Sequence, residues 1–207
     1  MKHVIILGGD GYLGWPTALY FSSRNYNVTV VDCQFKNNIC DSLKIKSLYS
    51  TPNLVDRCKL WYKLSGKEIR VVLKDLTDPI VMEDLIKGSI NYDWKISSKK
   101  FSNTEVIVHY AEQPSAPFSM ISVESSNKTI ANNLIVTNNI MFALKNLSPD
   151  THLIKLGTMG EYGTPNIDIE EGWLEVTHNG RKDKFLFPRA ASSIYHTSKI
   201  MDTDLLW

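Results

Sequence analysis

Val4-Ile5-Ile6-Leu7-Gly8-Gly9-Asp10-Gly11-Tyr12-Leu13-Gly14 is an apolar run that passes straight into glycines at positions 8, 11 and 14. A short β-branched run ahead of turn residues reads as a buried strand. Glycines in that place let the backbone turn tightly and approach a pyrophosphate, which then meets the N-terminus of the following helix. The spacing G-x-x-G-x-x-G is weak evidence alone. Here it lies between a strand and a helix-like segment, Tyr12 to Arg24, with Pro16 in the first turn, which is the context the motif requires. Asp10, Tyr12 and Leu13 sit within the same turn and join the glycines as candidate cofactor contacts. Val28 to Val31 is a second strand and ends at Asp32. An acid there accepts hydrogen bonds from the adenosine ribose and repels a 2′-phosphate, so it points to NAD rather than NADP. The competing reading is a plain glycine turn followed by a solvated aspartate.

Further along, Pro52 to Leu64 reads as a helix with Leu54, Cys58 and Trp61 close to one face. Ile69 to Leu73 is a third strand that leads into Lys74-Asp75-Leu76. Asp75 and Leu76 are placed to contact the adenine, although Asp75 reads equally well as a turn residue. Pro79 to Lys87 is a helix with Pro79 at its first position and Thr77 or Asp78 as the N-cap. The polar residues from Asn37 to Ser50 give no clear assignment, and Asn91 to Asn103 reads as a surface loop. Val106 to Val108 is a fourth strand, followed by His109, Tyr110 and the turn Glu112-Gln113-Pro114-Ser115-Ala116-Pro117. Phe118 to Leu147 reads as one long helix and His152 to Leu156 as a fifth strand. Ile169 to Phe187 is an irregular excursion or a hairpin turning at Asn179-Gly180. Ser192 to Leu206 is a helix. Strands alternating with helices predict an α/β, doubly wound parallel sheet of the Rossmann type, with ligands at the carboxyl ends of its strands.

Composition narrows the partners. The 207 residues are 43% hydrophobic and 22% charged, which suits a globular domain, and the net charge of +1 provides no field for nucleic acid or an anionic membrane. No apolar run approaches the ~20 residues needed to span a bilayer. Met1 to Leu7 is too short for a signal-peptide core. Cys33, Cys40 and Cys58 have no C-x-x-C spacing and read as reduced thiols, with no metal site expected and a cytoplasmic location.

A second constellation carries chemistry. Lys155-Leu156-Gly157-Thr158-Met159-Gly160-Glu161-Tyr162-Gly163 follows the fifth strand and continues to Gly172, upstream of Tyr195-x-x-x-Lys199. Residues four apart share a helix face, so Lys199 lies beside Tyr195. A tyrosine has an unperturbed pKa of ~10, and service as a base near neutrality asks for about 4 kcal/mol of stabilisation of the phenolate. An adjacent ammonium in a desolvated pocket provides much of that. Thr158 can hydrogen-bond the same substrate hydroxyl and align it. Glu161 is either an acid or base near the substrate or a solvent-facing loop carboxylate. His196 either reaches substrate or is a structural histidine. For Tyr195 and Lys199 the bland alternative is an exposed pair on an amphipathic helix.

Taken together these residues resemble the extended short-chain dehydrogenase/reductase superfamily of NAD-dependent epimerase/dehydratase type, and within it the UDP-sulfoquinovose synthases. The likeness rests on Gly8 through Trp15, Glu112 through Pro117 with Ser119-Met120, Lys155 through Gly172, Thr177 through Arg181 and Ala191 through Lys199. It implies that residues 1–207 form an NAD-binding domain and that UDP-glucose and sulfite are the partners. It also implies that Thr158, Tyr195, Lys199 and Glu161 are catalytic. Tyr195 and Lys199 also contact the cofactor, and Gln113, Ser115, Thr158, Glu161 and His196 contact substrate. Assembly as a homodimer is a further expectation. Sugar-nucleotide 4,6-dehydratases place Asp-Glu directly after the threonine, whereas here Met159-Gly160 intervene and the acid falls at Glu161. Two departures stand out: Pro114 occupies a place where the resembling family has arginine, and the chain stops at Trp207, inside the Tyr/Lys helix. The expectation is therefore a Rossmann domain incomplete at its C-terminus, with a substrate domain missing.

Overall fold

The computed structural model describes every residue except Ser47, Ser102, Glu171 and Trp207. Glu171 of the glycine-bounded run and the terminal Trp207 thus lie outside the described residues. The chain divides into two compact units, residues 1–113 with 135–156 and residues 114–134 with 157–207.

The first unit contains a five-stranded parallel sheet. Its strands are β1 (His3–Leu7), β2 (Asn27–Asp32), β3 (Ile69–Leu73), β4 (Thr104–His109) and β5 (His152–Lys155), in the order β3-β2-β1-β4-β5. Between them run α1 (Gly14–Ser23), α2 (Phe35–Ser42), α3 (Leu54–Ser65) and α4 (Pro79–Lys87). Strand alternation sends side chains to two separate cores. Ile5, Leu7, Val31, Val72 and Ile107 pack on one face with Val81, Met82 and Leu85 of α4. Val4, Ile6, Val28, Val30 and Val71 pack on the other with Ala18 of α1 and with Leu54 and Cys58 of α3. Burial pushes the Cys58 thiol up to about 12. A sheet covered on both faces by helices is the expected doubly wound architecture.

One expected element changes and two other stretches gain definition. The expected helix from Phe118 to Leu147 is two helices, α5 (Ala116–Ser119) and α6 (Val123–Leu147). The break is a new N-terminus, where the Ser122 hydroxyl accepts the Ser125 N–H at 3.1 Å. Part of the unassigned polar stretch is α2. The described residues from Asn91 to Asn103 form the expected, mostly exposed loop, which is tied to the sheet at several points. Trp94 bridges Val71 in antiparallel fashion. The buried Arg70 donates to the carbonyls of Ser97 at 3.1 Å and Lys99 at 2.6 Å, and its guanidinium lies 3.5 Å from the centre of the Phe101 ring.

In the second unit, a 3₁₀ turn at Met159–Tyr162 precedes a hairpin of β6 (Trp173–His178) and β7 (Arg181–Leu186). Asn179 and Gly180 turn it with φ of 49° and 73°, the left-handed pair that a two-residue hairpin demands. α7 (Ile194–Leu206) closes the unit and packs against α5 and the 3₁₀ turn. Among the described residues no helix is long and apolar enough to cross a membrane.

A Cβ at Gly14 would lie 2.0 Å from the Gly8 carbonyl oxygen. Gly14→Ala should therefore lower unfolding stability by roughly 1–3 kcal/mol. Urea denaturation against the parent chain reads this directly.

Candidate functional site

In the first unit the glycine turn sits where β1 leaves the sheet. Gly8 has a φ of 84°, and a Cβ there would stand 2.7 Å from the carbonyl of Tyr110, just past β4. At Gly9 a Cβ would strike Val30 at 2.5 Å. Motif spacing does not single out Gly9, and contact with β2 is what requires it. Gly11 differs, because its Cβ would meet only the Gly8 oxygen, at 3.2 Å. α1 then begins with Leu13 at the cap, no side-chain cap bond and no acid in its first turn. The Trp15 N–H is taken by the Gly11 carbonyl at 3.2 Å and Pro16 has none, so the Leu13 and Gly14 N–H groups beside the tight glycine turn are the donors offered to an anionic group, and a pyrophosphate fits them. The side chains of Tyr12 and Leu13 are exposed, so any contribution to that donor set comes from their backbone.

Asp32 ends β2 beside this turn. Its Oδ2 accepts the Asp10 N–H at 2.9 Å and its Oδ1 accepts the Gln34 N–H at 2.7 Å. Burial pushes the carboxyl above the usual aspartate range, and the two N–H bonds only partly oppose this. Asp75 takes its turn role: its Oδ1 accepts the N–H of Thr77 at 2.9 Å and its hydroxyl at 2.8 Å. Of the two cap candidates for α4, Asp78 serves, accepting from Ile80 at 3.0 Å. Leu76 is buried and its carbonyl accepts from Asn139 at 2.9 Å. Tyr110 donates its N–H to Leu7 at 2.9 Å, and Gln113 is buried.

Two ion pairs in this unit are not predicted by the motifs. Lys155, at the end of β5, pairs with Glu112 at 2.5 Å, both side chains nearly inaccessible, and His109 Nε2 lies 3.7 Å from the same carboxylate oxygen. Arg57 of α3 pairs with Asp10. Neither pair has a sequence signature, since the partners lie 43 and 47 residues apart.

The second unit gathers Ser115, Thr158, Glu161, Tyr195, His196 and Lys199. Thr158 caps the 3₁₀ turn, its hydroxyl accepting the Gly160 N–H at 3.3 Å while the Thr158 N–H donates to Glu161 Oε1 at 3.3 Å. This reciprocal capping fixes the three-residue spacing of hydroxyl and carboxylate. Glu161 is not a solvent-facing carboxylate. It is buried, Arg189 Nε lies 3.8 Å from its Oε2, and the Thr203 hydroxyl donates at 3.3 Å. Lys199 is likewise buried, which excludes the exposed-pair alternative for Tyr195 and Lys199. The Tyr195 N–H donates to the buried Ser119 hydroxyl at 3.1 Å, fixing α7 on α5. His196 Nδ1 stands 3.1 Å from the hydroxyls of both Ser192 and Ser193. The opposite edge of its ring lies on Gly160, where a Cβ would come 2.3 Å from Nε2. Ser115 caps α5, accepting from Phe118 at 3.2 Å.

Glycines at the carboxyl end of the first strand, an acid ending the second, and a Tyr-x-x-x-Lys helix define a class of nucleotide-dependent enzymes. The chain belongs to the NAD dependent epimerase/dehydratase family, whose model matches residues 4–207. It is 42% identical over 202 residues to the chloroplastic UDP-sulfoquinovose synthase of Spinacia oleracea, covering 98% of this chain and 39% of the spinach protein. It is 35% identical over 204 residues to the UDP-sulfoquinovose synthase of Sulfolobus acidocaldarius, covering 98% of this chain and 49% of that one. The chain thus spans half or less of the length of these relatives. Among solved structures, the UDP-glucose 4-epimerase of Bifidobacterium longum in complex with NAD⁺ and UDP superposes with a TM-score of 0.66 at 20% identity, over 99% of this chain and 48% of that one. The dTDP-glucose 4,6-dehydratase of Bacillus anthracis in complex with NAD gives 0.60 at 18% identity, over 99% and 49%. At these identities the likeness establishes the fold.

The contact between Gly160 and His196 predicts a coupled pair. Gly160→Ala should destabilise the chain by roughly 1–3 kcal/mol, and most of that loss should vanish in a His196→Ala background. A double-mutant cycle by thermal or urea unfolding measures the coupling.

Proposed function

We propose that this chain binds NAD through its glycine turn and carries the residues that convert UDP-glucose and sulfite into UDP-sulfoquinovose and water. The observation that carries this reading is the 42% identity to the spinach enzyme across 98% of the chain. The buried Thr158–Glu161 arrangement supports it, because a dehydratase pattern would put acids at the two positions held by Met159 and Gly160.

NAD, when bound, supplies reversible hydride acceptance at the sugar C4. Every other role falls to side chains of the protein. The turn from Gly8 to Gly14 and the N–H groups opening α1 hold the pyrophosphate, and Asp32 accepts from the adenosine ribose. Asp75, Leu76 and Tyr110 line the remainder of the cofactor site. Tyr195 takes the proton of the C4 hydroxyl, Lys199 stabilises the resulting phenolate, and Thr158 orients the hydroxyl. A carbonyl at C4 acidifies the C5 proton, and Glu161, aimed by Arg189 and Thr203, accepts it. His196, fixed by Ser192 and Ser193, serves the C6 hydroxyl as it leaves. Sulfite then adds at C6, C5 regains its proton from Glu161, and the C4 carbonyl is reduced back to the hydroxyl with the proton returned by Tyr195, so the overall reaction exchanges a hydroxyl for a sulfonate without net oxidation. Gln113 and Ser115 complete the substrate contacts.

Incubation with UDP-glucose, NAD⁺ and sulfite should yield a nucleotide sugar whose mass shows a hydroxyl replaced by sulfonate. UDP-galactose as the product would make the chain an epimerase, and a 4-keto-6-deoxy sugar would make it a dehydratase. NAD binding with no UDP-glucose binding in calorimetry would reduce it to a binding module. In the active case Tyr195→Phe should lower turnover by about 10²–10⁴-fold.

Asp32 gives a pH signature with two opposite slopes. Its folded-state pKa is raised, so as the pH falls it takes up a proton earlier than an unperturbed aspartate. The ribose then loses an ionised acceptor, and NAD affinity should decline in that window. Fold stability runs the other way. The contribution of Asp32 is present below the unfolded pKa and is lost as pH rises through the folded one. NAD titrations and thermal melts across mildly acidic pH should show both slopes, and Asp32→Asn should remove both.

A further inference from the structure

The first unit holds a charge arrangement that the motifs do not contain. Arg57 and Asp10 form an ion pair with side chains only 12% and 13% exposed. The guanidinium carbon lies 4.8 Å from the centre of the Trp15 ring, and Arg57 Nε is buried with no hydrogen-bond partner among the described residues. Asp10 is saturated on the other side. Its second carboxylate oxygen accepts from Asn37 Nδ2 at 2.8 Å, and its backbone N–H donates to Asp32. A cation therefore stands one residue removed from the carboxylate that selects the adenosine ribose, and an acid within the glycine turn occupies it. A free guanidinium beside a ribose is a ready partner for a 2′-phosphate, because its fork of donors matches phosphate geometry.

We propose that Asp10 sets cofactor choice by sequestering Arg57, so that discrimination between NAD and NADP resides in the Asp10–Arg57 pair together with Asp32. The inference rests on the NAD-binding reading given above. Asp10 contributes twice: it adds negative charge against a 2′-phosphate, and it holds the neighbouring Arg57 guanidinium in a pair. Replacing Asp32 alone would leave Arg57 engaged and NADP still poorly bound. Replacing Asp10 would release Arg57, with its stacking on Trp15 keeping the guanidinium in place.

The test is a titration of NAD and NADP, by calorimetry or cofactor fluorescence, against the full chain and its variants. Asp10→Asn should raise NADP affinity relative to NAD by roughly tenfold or more, the scale of one new charge-assisted hydrogen bond. The double variant Asp10→Asn with Arg57→Met should lose that gain. Arg57→Met alone should weaken NADP further, and this arm stands even if the Asp10 variant folds poorly by circular dichroism. A gain that survives removal of Arg57 overturns the proposal, as does the absence of any gain in a folded Asp10→Asn chain. NAD binding without an Arg57-dependent change removes this proposal alone. No NAD binding by the parent chain removes the cofactor reading and the proposal together.

Discussion

The first unit depends on contact without side chains where β1 leaves the sheet. The Gly8 backbone lies against the Tyr110 carbonyl on one side, and Gly14 lies against the Gly8 carbonyl on the other. In the order β3-β2-β1-β4-β5 successive strands are added outward on one side of β1 and then, from β4, on the other, and beyond the carboxyl ends of such a switch pair is where open α/β sheets leave a crevice. Any side chain at Gly8 or Gly14 would force the turn away from β4 and take the first N–H groups of α1 with it. Packing and anion recognition are therefore the same constraint, met by the same absence of atoms.

The second unit solves a different problem, which is to hold a carboxylate inside protein. Glu161 is useful near a substrate only if its oxygens point one way and are not consumed by solvent. Reciprocal capping with Thr158 fixes the backbone, the Ala190 N–H anchors the Glu161 carbonyl at 3.0 Å, and Arg189 supplies a nearby opposite charge. A buried carboxylate without such company would be strongly disfavoured. Arg189 also pairs with Asp204 of α7, so the loop after the hairpin and the helix bearing Tyr195 are joined through one guanidinium.

Much of this was legible in the chain because it is local. Five β-branched strands, Pro79 at the start of α4, the Asn179-Gly180 turn and the glycine spacing are all written within a few residues of where they act. What stayed hidden is long-range. Glu112 and Lys155 meet across 43 residues, and Arg57 meets Asp10 across 47, with only the sheet order to bring them together. Gly9 looks incidental until Val30 is placed beside it. The burial of Glu161 and Lys199 could not be read from a polar run and an amphipathic helix, since neither residue type signals an interior position. The break before α6 is hidden for a simpler reason: Ser122 is an ordinary N-cap, with no glycine or proline beside it to mark the end of α5.

The tethered segment after α4 has a consequence for solubility. β3 ends the sheet on one side, and a terminal strand normally offers unpaired amides and carbonyls to any passing chain. Here Val71 exchanges bonds with Trp94 and Asp93, at 3.0 and 2.9 Å, and the Leu73 amide is taken by the Asp93 side chain at 2.6 Å. With Arg70 holding the same segment, the middle of this margin is already paired by the protein's own chain and is a poorer template for intermolecular strand growth.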